Sequence, residues 1–168
     1  MREKILDIIE KNGKMNTKEI AMQLGVDEVK VAEEIMNLEK ENVICGYLTL
    51  IDGDKTNIDK VSALIEVRVT PQKGQGFDRI AERIYNYGEV KSVYLISGGY
   101  DLLVTLEEKT LKEIATFVSD KLSTLDTVIS TATHFILKKY KDHGIMLDKK
   151  IEDKREAISP WIMIYPKK

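Results

Sequence analysis

Residues 98–101 of this chain read Gly-Gly-Tyr-Asp and lie between two apolar stretches. Two glycines leave backbone N–H groups open to a carboxylate, and the Asp101 carboxylate can pair with an ammonium. A free amino acid carries both groups. Gly98, Gly99, Tyr100 and Asp101 therefore form a candidate binding loop for such a ligand. The same residues also suit a hairpin connection, because Gly-Gly between two strands is turn chemistry. Thr131 and Thr133 stand two apart, so on one strand their hydroxyls share a face, with His134 on the other. They can bond the same ligand, or serve only as β-branched strand formers. Near the N-terminus, Lys14, Lys18 and Lys30 can meet phosphates or stay solvated on the surface.

Catalysis finds no equivalent support. No nucleophile stands beside a base, and no cluster has metal-ligand spacing. His134 and His143 fall on different elements, and Cys45 is remote from both. The word Gly-Gln-Gly at 74–76 is an isolated glycine pair after Pro71. The chain is read as a non-enzyme with no metal and no cofactor beyond an amino-acid effector.

The elements that must position these residues fall into two rhythms. Residues 2–12 carry Ile5, Leu6, Ile8 and Ile9 at helical spacing and stop at Asn12-Gly13. Residues 17–39 read as two short helices around a turn at Leu24-Gly25-Val26. Thr17 is expected to cap the first of them and Asp27 the second. Ile20, Ala21 and Leu24, then Val31, Ile35 and Leu38, are their buried stripes. This is helix-turn-helix grammar, whose second helix lies in the DNA major groove. Its expected exposed residues are Glu28, Lys30, Glu33, Glu34 and Asn37, a mostly acidic surface. Val43 to Ile51 is rich in β-branched and aromatic residues and is expected to be the wing strand. Residues 53–60 read as a linker.

Beyond the linker, strands are expected at 61–69, 90–96, 101–106 and 127–137. Helices are expected around Phe77, Ile80, Ala81, Ile84 and Tyr85, and around Leu111, Ile114, Ala115, Val118 and Leu122. The order βαββαβ is the ferredoxin-like arrangement, which leaves one sheet face uncovered and predicts pairing with a second copy. The fold class is thus α+β. A winged helix-turn-helix domain (1–52) precedes a ferredoxin-like sensing and oligomerisation domain (61–141) and a C-terminal extension (142–168). In that extension Trp161 is expected to pack on the sensing domain or a neighbour.

Composition bounds the partners. The chain has 168 residues, 43% hydrophobic and 32% charged, with a formal net charge of −2. DNA binding must rest on local patches or on oligomerisation rather than bulk charge. Residues 1–45 hold 7 basic and 10 acidic side chains, a net of −3. A single cysteine excludes an intramolecular disulfide and fits a reducing cytoplasm. No secretion signal or membrane span is expected.

Taken together, ILDIIEKNGKMNTKEIAMQLGVD, VAEEIMNLEKENVICGYLTLID, EVKSVYLISGGYDLLVTL and TVISTATHFILK resemble the Lrp/AsnC (leucine-responsive regulator) family of transcription regulators. The resemblance covers residues 1 to about 141. It implies a winged helix bound to double-stranded DNA and a ligand-sensing domain that dimerises through its sheet. It also implies dimers assembled into tetramers or octamers, with a small effector, typically an amino acid, held between dimers around the Gly-x-x-Asp turn. Residues placed at or beside the duplex are Lys14, Lys18, Asp27, Glu28, Lys30, Val31 and Glu34. Those placed at the effector are Gly98, Gly99, Tyr100, Asp101, Thr131 and Thr133. The chain departs from the family at Glu34, where Arg is usual, and at Asn42, where Gly is usual. Glu34 would repel phosphate. A second reading follows from it: an oligomeric metabolite-binding protein whose helix-turn-helix no longer reads DNA.

Overall fold

The computed structural model describes residues 1–57, 59–71 and 76–147. The glycine word at 74–76, apart from Gly76, and the segment around Trp161 lie outside the described residues. The chain divides into two compact units, Met1–Ile51 and a second that begins at Asp52.

The first unit holds α1 (Arg2–Lys11), α2 (Thr17–Leu24) and α3 (Glu28–Lys40). Ile5, Ile20, Ala21, Val31 and Leu38 close its core, and Ile35 and Ile44 pack on the margin. Truncating Leu38 or Ile20 to Ala would remove about 2–5 kcal/mol. The cap of α2 is Asn16, not Thr17. Asn16 Oδ1 accepts from Glu19 N at 2.9 Å, and the Glu19 carboxylate accepts from Asn16 N at 2.9 Å. The Asn-x-x-Glu spacing makes this reciprocal box, which outcompetes a lone threonine hydroxyl. Thr17, one residue inside the helix, instead donates to Glu28 Oε1 at 2.9 Å.

Gly25 ends α2 at φ +65°, and Val26 N then reaches Ala21 O at 3.1 Å. Asp27 caps α3 as expected, its Oδ1 accepting from Val29 N at 2.8 Å. Asn42 closes α3 at φ +56°, a conformation asparagine tolerates. Val43 N and Asn42 N return to Leu38 O and Glu39 O, which completes a Schellman turn.

The wing strand does not form. Residues 45–50 run without regular structure. A strand needs a hydrogen-bonded neighbour, and the first unit offers no other β segment. Leu48 is 95% exposed and Ile51 66%. Tyr47 is tied back by its hydroxyl, which donates to Glu39 Oε1 at 2.9 Å, and Cys45 by its thiol, which donates to Asn42 O at 3.2 Å.

The second unit is a βαββαβ layer. It comprises β1 (Val61–Val69), α4 (Asp78–Tyr85), β2 (Val90–Leu95), β3 (Leu102–Glu108), α5 (Leu111–Phe117) and β4 (Val128–Ile136), and ends in a hairpin of β5 (Lys141–Asp142) and β6 (Ile145–Met146). The antiparallel sheet has the order β2-β3-β1-β4, so β1 sits between two strands made later in the chain. Alternate residues Ala63, Ile65, Val67 and Leu102, Val104, Leu106 face the helices. Ile80 and Ile84 of α4, and Ile114 and Phe117 of α5, meet them.

Tyr85, Leu111 and Ala115, assigned to the buried stripes from sequence, lie on the solvent side. A single turn of π-helix at Val118–Leu122 shifts the phase of the second helix and still buries Leu122. Tyr87 meets Phe117 edge-on at 5.5 Å, and Lys121 lies over the Tyr87 ring while it hydrogen-bonds Glu89. That bond holds the Glu89 carboxyl below its usual range.

On the uncovered face His134 Nε2 stands 3.3 Å from Glu66 Oε1, Ser92 bonds Thr105, and Lys60 bonds Glu107 at 2.9 Å.

Candidate nucleic-acid interface and effector loop

Helix α3 presents two distinct surfaces. Val31 and Leu38 are fully buried, and the helix repeat places Val29, Glu33, Met36 and Lys40 on the opposite side at i, i+4, i+7 and i+11. Val29 is 63% exposed and Met36 59%. Val31 therefore meets the core and not a duplex, a correction to the sequence reading.

Two acids expected on the exposed side are engaged elsewhere. Glu28 accepts from Thr17. Glu34 is only 21% exposed at its side chain, and its Oε1 lies 3.8 Å from Arg2 Nη1. Arg2 also hydrogen-bonds Glu41, which raises the guanidinium's affinity for its proton and lowers the Glu41 carboxyl below its usual range. Asp27 spends its carboxylate on the α3 cap.

Glu33 and Lys40 stand on the outer face of α3, with Lys30 to one side and Glu39, which accepts from Tyr47, to the other, all exposed. Lys14 and Lys18 are exposed beside α2. The sequence reading named Glu33 among the exposed residues of this helix but not Val29, Met36 and Lys40, which share its face. Their signal was present as a second helical stripe, opposite the apolar one.

In the second unit, residues 97–101 form an open bend between β2 and β3. Ile96 N donates to Asp101 O at 2.8 Å and closes it. This is not a tight two-residue turn, and neither Gly98 nor Gly99 takes a positive φ. A β-carbon on Gly98 would touch only Ile96 Cγ2, at 3.6 Å, and one on Gly99 would touch nothing within 4 Å. The fold itself does not demand either glycine.

Asp101 is anchored at two points. Its N–H donates to Val67 O at 3.1 Å, and its Oδ2 accepts from Val69 N at 2.8 Å. The β1–β3 ladder ends at Val67 and Leu102, so Val69 N–H, two residues on along the same edge of β1, lies past the ladder and takes this acceptor. Asp101 Oδ1 has no partner among the described residues. Tyr100 is half-buried beside it. Thr131 and Thr133 lie opposite Val67 and Ile65, half-buried on the side covered by helices. One strand, β1, separates them from β3, on the order of 10 Å of sheet.

Residues 62–146 match the Lrp/AsnC ligand binding domain. Over 157 residues the chain is 48% identical to the HTH-type transcriptional regulator YugG of Bacillus subtilis (strain 168), covering 93% of this chain and 95% of that protein. The chain belongs to the Lrp/AsnC family.

Its Lrp/AsnC relatives include the proline dehydrogenase transcriptional activator of Rhizobium radiobacter, 21% identical, which spans 84% of this chain and 90% of that one. Among solved structures, the L-Met complex of the regulator NMB0573 from Neisseria meningitidis superposes with a TM-score of 0.67 at 22% identity. It covers 84% of this chain and 90% of its own. Escherichia coli AsnC gives a TM-score of 0.61 at 19% identity, with 82% and 91% covered. The Lrp/AsnC match runs to residue 146 and so takes in the β5–β6 hairpin.

Proposed function

We propose that the chain binds double-stranded DNA through α2 and α3, as an oligomer, and that an amino acid held at the 97–101 bend alters that binding. Membership of a family of helix-turn-helix transcription regulators supports the DNA half. One observation carries it further. Of the acids that made the second helix of the motif look hostile to phosphate, Glu34 is paired with Arg2, while Glu28 keeps its charge beside the neutral Thr17 hydroxyl. Lys30 and Lys40 on α3, and Lys14 and Lys18 at the start of the motif, are exposed and can meet phosphates. That pairing takes Glu34, but not the other acids of α3, out of the case for a metabolite-binding protein without DNA affinity.

Asp101 supports the effector half. One carboxylate oxygen holds Val69 N, and the other is open to an ammonium. The two neighbouring glycines have no role in the fold and leave backbone N–H groups accessible to a carboxylate. A complex with L-Met among similar structures belongs to the same ligand class. Assembly beyond a dimer, up to an octamer, is part of the proposal, since several weak modules on one duplex raise the effective concentration.

The test is titration of the purified protein against its own promoter region, at low and physiological salt, with and without common amino acids. Saturable, salt-sensitive binding that one amino acid changes is the expected result. Absence of binding at either salt would sink the proposal.

A further inference from the structure

Val29, Glu33 and Met36 are exposed on α3, and their side chains take no part in packing, capping or pairing. They form one stripe on the face opposite Val31 and Leu38. Two apolar side chains left in water on either side of one free carboxylate are unusual for a solvated helix face, which is normally polar throughout. Exposed lysines border the stripe at Lys30 and Lys40 of α3, and two more are exposed in the motif, Lys14 before α2 and Lys18 in its first turn. That frame suits a polyanion, and the apolar and acidic centre suits something the polyanion carries at its middle.

The major groove of B-DNA has this make-up. Its edges are phosphates, and its floor offers thymine methyl groups, which take apolar contacts, and cytosine amino groups, which donate to carboxylates. Residues at the N-terminal end of the second helix reach that floor. Val29 lies in the first turn of α3 and Glu33 in the second. Resting on the DNA-binding reading above, we infer that Glu33 reads a cytosine N4 amino group and that Val29 and Met36 read thymine methyls, while the lysines hold phosphates without sequence information. The preferred half-site would carry a cytosine flanked by thymines on the strand facing α3. A carboxylate at the centre also works against other bases, because it repels the acceptor edges of guanine.

In vitro selection from a pool of random-sequence duplexes tests this with the full-length protein and its Glu33→Gln, Glu33→Ala, Val29→Ala and Met36→Ala variants. These side chains are exposed, so the variants are expected to melt like the wild type. The expected wild-type motif contains the cytosine. Glu33→Gln should move that position towards adenine, which glutamine can bond at two points, and Glu33→Ala should flatten it. Discrimination there should fall by roughly ten-fold or more, with non-specific affinity unchanged or higher. Val29→Ala and Met36→Ala should relax neighbouring thymines only. If all four variants enrich the wild-type motif with undiminished discrimination, the assignment is overturned while DNA binding stands. The same holds if Met36→Ala or Val29→Ala alters only the sedimentation of the oligomer. A wild type that retains no duplex even at low salt removes the DNA-binding reading and this assignment together.

Discussion

Asp101 Oδ2 accepts from Val69 N at 2.8 Å, so a carboxylate just before β3 extends the pairing of the neighbouring strand β1 beyond the end of their ladder. Under the proposal above, the fold uses one oxygen of this residue and the effector's ammonium the other. Asp101→Ala leaves Val69 N–H without its acceptor and should cost about 1–3 kcal/mol by denaturant unfolding. Asp101→Asn keeps an acceptor for Val69 and removes the charge. It should unfold close to the wild type yet lose the amino-acid-induced rise in Tm.

Gly99 offers the converse test. No atom stands within 4 Å of a β-carbon there, and its φ is not positive. Gly99→Ala should leave stability unchanged or raise it by up to about 1 kcal/mol, through a less disordered unfolded chain. Effector binding measured by calorimetry should weaken, because a methyl group would obstruct the carboxylate's approach to the backbone.

Replacing Glu34 by Arg would restore the residue usual in the family but place it against Arg2. Lower thermal stability of the helical unit is expected, with little gain in DNA affinity. Glu33→Arg, on the exposed face, should raise non-specific affinity instead. Parallel melting and low-salt titration of the two variants checks the contrast.

Lys30→Ala should lower the slope of log affinity against log salt concentration by about one, the signature of one phosphate contact. An unchanged slope would leave Lys30 a solvated side chain.

Acid stability has a definite sign. Lys60, hydrogen-bonded to Glu107, holds that carboxyl below the usual carboxylate range, as Lys121 does for Glu89. The unfolded chain then binds more protons than the folded one between the lowered and the ordinary values. Stability from these pairs is complete above the ordinary carboxylate pKa and is lost as pH falls through the lowered one. Melting of Glu107→Gln and Glu89→Gln across that acid window should depend less steeply on pH than the wild type.

At the α2 cap, Asn16→Ala should cost about 1 kcal/mol and Thr17→Ala less. The sequence reading put the cap on Thr17 because threonine is a favoured type. What decided it was the glutamate three residues beyond Asn16. Apolar periodicity located α1 to α5 and β1 to β4 to within a few residues, because burial on one face is a local signal, but not the two-residue strands β5 and β6, which carry no such pattern. It could not show where Glu28 and Glu34 point, because Arg2 and Thr17 lie on other helices and their pairing exists only once the helices pack. The strand expected at 43–51 has suitable residues, but propensity is no substitute for a hydrogen-bonded partner. Asp101 was legible as a polar residue at a strand start. Its bond to Val69 was not, since it depends on where the pairing of β1 with β3 stops, at Val67 and Leu102.

The central place of β1 governs the order in which the molecule can be made. Both of its neighbours, β3 and β4, leave the ribosome after it, whereas α1 to α3 need only contacts within the first 51 residues. Local helical contacts form quickly and long-range strand pairing slowly. Synthesis must run roughly 85 residues past the first unit, several seconds at ordinary rates, before β4 can close the sheet. A nascent chain therefore carries a finished DNA-facing module ahead of the part that would report on effector, and any truncation before residue 136 would leave the first without the second.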